Sequence, residues 1–207
     1  MKQIRLAAFH HDRLNLNGDV LNLLVLAKRL NWRGIGCEVV ELTGANFNQQ
    51  LANGIDFALL GHGSIAAWAA IDREDPELES AVLSLADSHV PLMGVASGYE
   101  RLVQYGVLKQ EITRGDRVSA FTECELDGIE MIGYVNSDSG LPLIANSASS
   151  IGTLLHGPVL AKNPKFADFI LEMILKRELP DGLGNRLSFA DKMAREATEV
   201  ARGMLAS

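Results

Sequence analysis

Apolar residues in the first hundred positions fall into two alternating rhythms, short unbroken runs and runs spaced three and four apart. Residues 3–9 form a compact apolar run of the kind a buried strand carries. In residues 18–30, Val20, Leu23, Leu24, Ala27 and Leu30 mark one face of a helix. Strand-like runs recur at 36–42, 55–60 and 89–96, with helical spacing at 76–88 and from Gly98 to about Tyr105. Glu77 and Glu79 sit in the first turn of the 76–88 helix, where the helix dipole favours negative charge. Strands separated by helices predict right-handed crossovers and a parallel sheet.

The rhythm changes after about residue 110. Residues 118–126, 130–135 and 142–145 are strand-like with short connections, and Asp127-Gly128 is a strong hairpin signal. Residues 151–155 read as one more strand and 166–175 as a helix. A Pro/Gly-containing break at 179–185 precedes an amphipathic helix over 188–205. Phe189, Met193, Ala197, Val200 and Met204 share one side of that helix, a face that packs on its own domain or on a partner, the former preferred. The expected fold is therefore α/β: a mostly parallel sheet with helices on both faces, antiparallel additions and a C-terminal helix. Residues 1–180 would be the domain and 181–207 its helical extension.

Composition narrows the functional classes. The 207 residues are 47% hydrophobic and 22% charged, enough apolar material for a substantial core. A formal charge of −7 argues against nucleic acid or anionic membranes as general partners. Cys37 and Cys124 are too few for a disulfide framework and lack metal-ligand spacing; Cys37 reads as core and Cys124 as a buried or incidental thiol. No apolar run has the length of a membrane span, and Met1-Lys2-Gln3-Ile4-Arg5 has no signal-peptide pattern, so the cytoplasm is the expected location.

Three segments stand where chemistry is carried. Gly94-Val95-Ala96-Ser97-Gly98 joins a strand to a helix with the glycine spacing of a nucleophile elbow, although an ordinary strand-to-helix turn fits equally well. Its central residue, Ala96, has no nucleophilic atom, and Ser97 is one position off register and expected to point elsewhere. His156 ends an apolar strand before Gly157-Pro158, at the carboxyl edge where open α/β sheets hold their sites. It could act as a base or sit hydrogen-bonded in a turn. Gly61-His62-Gly63-Ser64 follows another strand and either offers backbone N–H groups to an oxyanion or forms a plain turn. His10, His11 and Asp12 read as a polar loop, and Arg114-Gly115-Asp116-Arg117 as a solvated turn.

Together the segments resemble the class I glutamine amidotransferases, in the GatD-like group of the CobB/CobQ branch. The most specific parts are Leu14-Asn15-Leu16-Asn17-Gly18-Asp19 with Asn22, then Asn31-Trp32-Arg33-Gly34-Ile35, and the stretch Gly152-Thr153-Leu154-Leu155-His156-Gly157-Pro158 running on to Pro164. The last is close to the family's GTYLHGPLLPKNP. The resemblance spans roughly residues 3–180. It implies hydrolysis of glutamine by an elbow cysteine and a histidine, backbone N–H groups on the oxyanion, and delivery of ammonia to a Mur-ligase-like (MurT-type) synthetase partner. Family positions transfer as follows: Ala96 stands at the cysteine, His156 at the histidine, and Gly61 and Gly63 in the oxyanion loop. Ser97 lies beside them, and Arg117 or Arg114 stands near the glutamine-binding arginine. No cofactor and no metal are expected.

The departures concentrate at the site. The family's CGGYQ-like elbow is here Ala96-Ser97-Gly98-Tyr99-Glu100, its GGGQ-like loop is Gly61-His62-Gly63-Ser64, and its GFENHGG-like stretch is Gly133-Tyr134-Val135-Asn136-Ser137-Asp138-Ser139-Gly140. A methyl group cannot form a thioester, so the expectation is a non-catalytic homologue with a structural or regulatory role linked to cell-wall precursor amidation. Two alternatives stand beside it: an active glutaminase subunit whose cysteine was replaced by mutation, and a small-molecule binding module using the old glutamine pocket.

Overall fold

The computed structural model describes residues 3–205, with the side chains of the last two omitted; Met1, Lys2 and the Met204 side chain named above lie outside the described residues. Strand β1 (Ile4–Phe9) leads into helix α1 (Leu21–Asn31), and β2 (Cys37–Leu42) pairs parallel to β1 from Ile4↔Cys37 to Phe9↔Leu42. The chain then reverses direction across the sheet. It passes through α2 (Phe47–Ala52) to β3 (Phe57–Leu60) on the other side of β1, and through α3 (Ile65–Glu74) and α4 (Leu78–Asp87) to β4 (Leu92–Val95). Helix α5 (Ser97–Gln104) follows directly.

Beyond α5 runs a long hairpin, β5 (Arg114–Leu126) and β6 (Ile129–Ser139), turning at Asp127-Gly128, both with positive φ. Then come β7 (Ile144–Asn146), β8 (Ser150–Thr153), β9 (Leu155–His156), α6 (Val159–Lys162), α7 (Pro164–Leu175) and α8 (Arg186–Leu205). The main sheet has the order β2-β1-β3-β4-β8-β7 and is parallel except for the β7 edge; a second antiparallel sheet has the order β5-β6-β9. This is the expected α/β fold, with mostly parallel strands and helices.

Because right-handed crossovers in opposite directions place helices on opposite faces, α1 covers one face and α2 to α5 the other. Helices α6 and α7 return to the side of α1 and pack against it. The sense of travel reverses between β1 and β3, which places a crevice beyond their carboxyl ends. The core between the layers includes Tyr99, Phe9, Phe57 and Phe166, all essentially without solvent contact.

Several expectations need correction. Residues 151–155 are not one strand: the chain breaks at Leu154, so β8 belongs to the parallel sheet while β9 pairs with β6. The antiparallel block is accordingly a separate sheet plus one edge strand. Arg114 to Arg117 are not a turn but the start of β5, with a register shift between Arg114 and Val118. Helices α2, α3 and α6 had no clear periodic signal; α3 is started by Ser64, whose side chain accepts from the Ala67 N–H at 3.1 Å. Helix α8 docks through Ala194 and Ala201, and leaves Phe189, Met193 and Val200 in solvent. The large residues dominate its sequence pattern, but only the small ones let it approach the domain closely.

A buried charge network fixes α1 to the C-terminal helices. Arg29 makes a bidentate contact with Asp168 of α7 at 2.8 and 2.7 Å and reaches Asp191 of α8 at 2.6 Å. Arg33 adds a 2.9 Å bond to Asp168 and one to the Pro180 carbonyl. This accounts for the Asn31-Trp32-Arg33-Gly34-Ile35 motif as architecture, with Gly34 at φ +74° closing the helix.

Candidate functional site

The loops after β3, β4 and β9 meet at the carboxyl edge of the sheet. Ala96 lies between β4 and α5 at φ 49°, ψ −110°, a conformation that L side chains rarely adopt. The flanking glycines have a direct steric reason. A Cβ on Gly94 would sit 2.7 Å from the Tyr99 Cα, and one on Gly98 would sit 2.2 Å from the Leu60 carbonyl oxygen. The geometry of a nucleophile elbow is therefore complete, down to its backbone strain, around a residue with no nucleophile. Glycine at this position relieves the strain, and Ala96→Gly is expected to stabilise the fold by about 1 kcal/mol after the entropy of the freer unfolded chain is subtracted. Thermal melting of the two proteins checks it.

Ser97 does not face open solvent. Its Oγ accepts from the Gly63 N–H at 3.0 Å and from the Trp68 Nε1–H at 2.8 Å, and lies 2.9 Å from His62 Nδ1 and 3.1 Å from the Gly63 carbonyl. Two donors occupy both lone pairs, and the single proton goes to His62 or to the carbonyl, so the hydroxyl has no lone pair left for attack. The same contacts consume the candidate oxyanion donors. Gly63 N–H is bound by Ser97, His62 N–H donates to Asp19 Oδ2 at 3.0 Å, and Ser97 N–H lies 3.4 Å from His62 Nδ1.

His156 packs edge-on against His62, ring centroids 4.9 Å apart. Its Nδ1 is 2.6 Å from the Asn17 Nδ2, which places the ring proton on Nε2 when the amide donates. Nε2 is buried and has no partner among the described residues. Burial, then the neighbouring His156, pushes the His62 imidazole down to about 4, and burial also lowers His156, with the Asn136 backbone acting the other way and Arg117 adding to the lowering. Both rings are neutral at pH 7.

Below pH 6.5 the unfolded chain binds a proton at His62 that the folded protein refuses until about pH 4, so stability falls through that window as pH drops. His62 should contribute about 2 kcal/mol of this loss once partial solvent access is allowed for. His62→Asn is expected to remove that part of the slope, measured as the difference in melting temperature between pH 7 and pH 4.5.

The site is held together by the Asn15–Asn22 segment. Fully buried Asp19 accepts from the His62 N–H with one oxygen and from the Gly157 N–H, at 3.1 Å, with the other. Asn22 bonds the Gly157 carbonyl and the Leu160 N–H, each at 3.0 Å. The loops after β1, β3 and β9 are thus tied by two side chains, and burial raises the Asp19 carboxyl above its usual range. These residues were legible as a motif, but their role as a clamp was not; Asn17 and Trp68 had no sequence signal for their contacts.

The cleft in front of Ala96 and His156 has a volume of about 680 Å3. Its outer wall comes from the hairpin. Arg114 makes a bidentate contact with Glu100 at 2.6 and 2.8 Å, and Arg117 bonds Asn136 Oδ1 at 2.9 Å with Asp138 nearby. Both arginines named from the sequence reach the cleft, and both are engaged. His62, Gly63, Ser97, Ala96 and His156 line it as well, whereas Gly61 does not, and a Cβ there would lie 1.9 Å from the Leu14 carbonyl oxygen.

The remaining candidates lie elsewhere. His10, His11 and Asp12 form the polar turn after β1, in which His10 is buried 2.7 Å from Asp75, which also accepts the Gly44 N–H; His11 pairs with Glu41 at 3.2 Å. Cys37 and Cys124 are half-buried against the core, and burial pushes the Cys124 thiol up to about 11, far from a reactive thiolate. Among the described residues no group of three or more His, Cys, Asp or Glu is placed to hold a metal, and no helix is long and apolar enough to cross a membrane.

No family profile matches the chain. A crystal structure of a glutamine amidotransferase superposes with a TM-score of 0.56 and 21% identity, covering 82% of this chain and 98% of that one. Another, a glutamine amidotransferase from Thermotoga maritima, covers 99% of this chain and 96% of its own at a TM-score of 0.52 and 13% identity. The architecture is that of the class I glutamine amidotransferases. In sequence, the chain is 24% identical to GatD, the subunit of lipid II isoglutaminyl synthase (glutamine-hydrolyzing) from Staphylococcus aureus, over 86% of this chain and 87% of that protein. The chain is thus a class I glutamine amidotransferase-like protein that resembles GatD.

Proposed function

We propose that this chain is a non-catalytic glutamine amidotransferase-like subunit, acting in the cytoplasm as a structural or regulatory partner of a Mur-ligase-like synthetase in cell-wall precursor amidation. One observation carries the reading: the elbow holds Ala96, and the N–H groups of His62, Gly63 and Ser97 around it are already turned toward Asp19, Ser97 and His62. Glutamine hydrolysis needs a nucleophile and free oxyanion donors at the same spot, and here neither is offered. Ala96 and His156 stand at the former catalytic pair, and Gly61, Gly63, Ser97 and Arg117 at the former substrate subsite. The bidentate Glu100 pairing of Arg114 argues in the same direction, since a guanidinium so engaged is not free for a substrate carboxylate. Residues 1–180 form the amidotransferase-like domain in this reading and 181–207 its helical extension.

The test pairs two measurements on the purified chain. Ammonia release from glutamine should stay at background, and gel filtration with the Mur-ligase-like synthetase of the same host should show one co-eluting complex. A turnover near ordinary enzyme values, ~1 s⁻¹ or more, overturns the non-catalytic reading. Separate elution at micromolar concentration overturns the partner.

A further inference from the structure

Helix α8 is 20 residues long and presents its bulkiest apolar side chains to water: Phe189 is 62% exposed, Met193 39% and Val200 63%. At 100° per residue these three lie within about 40° of one another, while the docked Ala194 and Ala201 are about 100° further round. The stripe adjoins an apolar groove of about 370 Å3 between α8 and α1, lined by Leu24, Val25, Trp32, Ala190 and Ala194. Leu24 at its edge is itself half exposed. A contiguous apolar surface of this kind on a chain of −7 charge marks a contact site.

The pattern of the stripe and its flank specifies the occupant. Met193 and Val200 are equidistant from the point between Glu196 and Ala197, so a two-fold axis there sets Met193 of one copy against Val200 of the other. Lys192 and Glu199 lie on the same flank of the stripe, about 20° apart on the helix wheel. The same axis brings Lys192 of each copy to within two residues of Glu199 of the other, roughly 3 Å along the helix and well inside the reach of both side chains. Glu196, nearest the axis, is partnered within its own helix by Lys192 at 3.7 Å, which offsets repulsion between the two copies. The Lys192–Glu199 contacts therefore form in the antiparallel arrangement only; a parallel pairing carries the charged flanks of the two copies to opposite sides of the seam, where they do not meet. We infer that α8 is the interface of a homodimer, paired antiparallel with a second copy of this chain through Phe189, Met193 and Val200 and rimmed by two Lys192–Glu199 contacts. This surface is separate from the cleft in front of Ala96 and His156.

Sedimentation velocity of the intact chain reads the proposal directly. A species of twice the 22.4 kDa chain mass is expected at micromolar concentration. Val200→Asp buries two carboxylates in the seam and should weaken the dimer at least 100-fold; because Val200 is in solvent in the single chain, melting measured at a dilution where both proteins are monomeric should be unchanged. Lys192→Glu should weaken it about fivefold at low salt, and Lys192→Glu with Glu199→Lys should restore it, which only the antiparallel register allows. A chain that stays monomeric at 100 times that concentration overturns the inference. So does a dimer indifferent to Val200→Asp, or one that the double charge reversal fails to rescue. If Val200→Asp abolishes only capture of the synthetase from a monomeric chain, the stripe belongs to that partner and the homodimer is wrong.

Discussion

Ala96→Cys alone should leave glutamine hydrolysis at background, whereas the triple variant Ala96→Cys, Ser97→Gly, Glu100→Gln should gain about 10²- to 10³-fold over it. The thiol would arrive on a complete elbow, in the same cleft as a neutral His156. What it would lack is a place for the negative charge that develops on the amide oxygen. One oxyanion donor is worth about 3–4 kcal/mol in the transition state, and Gly63 N–H is held by the Ser97 hydroxyl at 3.0 Å. Ser97→Gly removes that hydroxyl and frees the donor. Glu100→Gln removes the carboxylate that grips Arg114 at both oxygens, leaving a guanidinium for the substrate. Ammonia release at saturating glutamine, compared across the single and triple variants, is the measurement. Ready turnover by the single cysteine variant would show that the internal bonds yield easily to substrate, and the non-catalytic reading would rest on one missing sulfur.

Gly98→Ala is expected to cost more than 4 kcal/mol and to unfold a large part of the population at 37 °C. The added Cβ would lie 2.2 Å from the Leu60 carbonyl oxygen and 2.7 Å from the Gly61 carbonyl oxygen. Both are backbone atoms at the end of a central strand, whose position is fixed by pairing with β1 and β4. Relief requires moving α5 away from the sheet, and α5 carries Tyr99, which is fully buried. A native domain has only about 5–15 kcal/mol in hand, so one such clash consumes much of it. Gly115→Ala is the control: nothing lies within 4 Å of its Cβ, and the change should stay within about 0.5 kcal/mol. Urea unfolding of the two variants separates them.

The strand order of the first hundred residues and the longer amphipathic helices there other than α3 were legible because burial on both faces of a parallel sheet forces unbroken apolar runs, and amphipathic helices force a spacing of three and four. Phe57–Leu60 and Leu78–Asp87 are cases in point. Short helices such as Phe47–Ala52 escaped, since six residues hold too few turns to show a period. The split at Leu154 escaped as well, because an apolar residue between two sheets reads the same as one within a strand.

The site divides along the same line. Residue identity is local information, so the elbow spacing, the absent thiol at Ala96 and the histidine before Gly157-Pro158 could be read directly from the chain. Where hydrogen bonds go depends on neighbours far away in sequence. Only the folded chain sets Ser97 against Gly63 and Trp68, ties Asp19 to both His62 and Gly157, and closes Arg114 onto Glu100. Helix α8 shows the limit most plainly. Its period announces an apolar face in advance, but which face meets the domain is decided by how closely two backbones can approach, and there alanine prevails over phenylalanine.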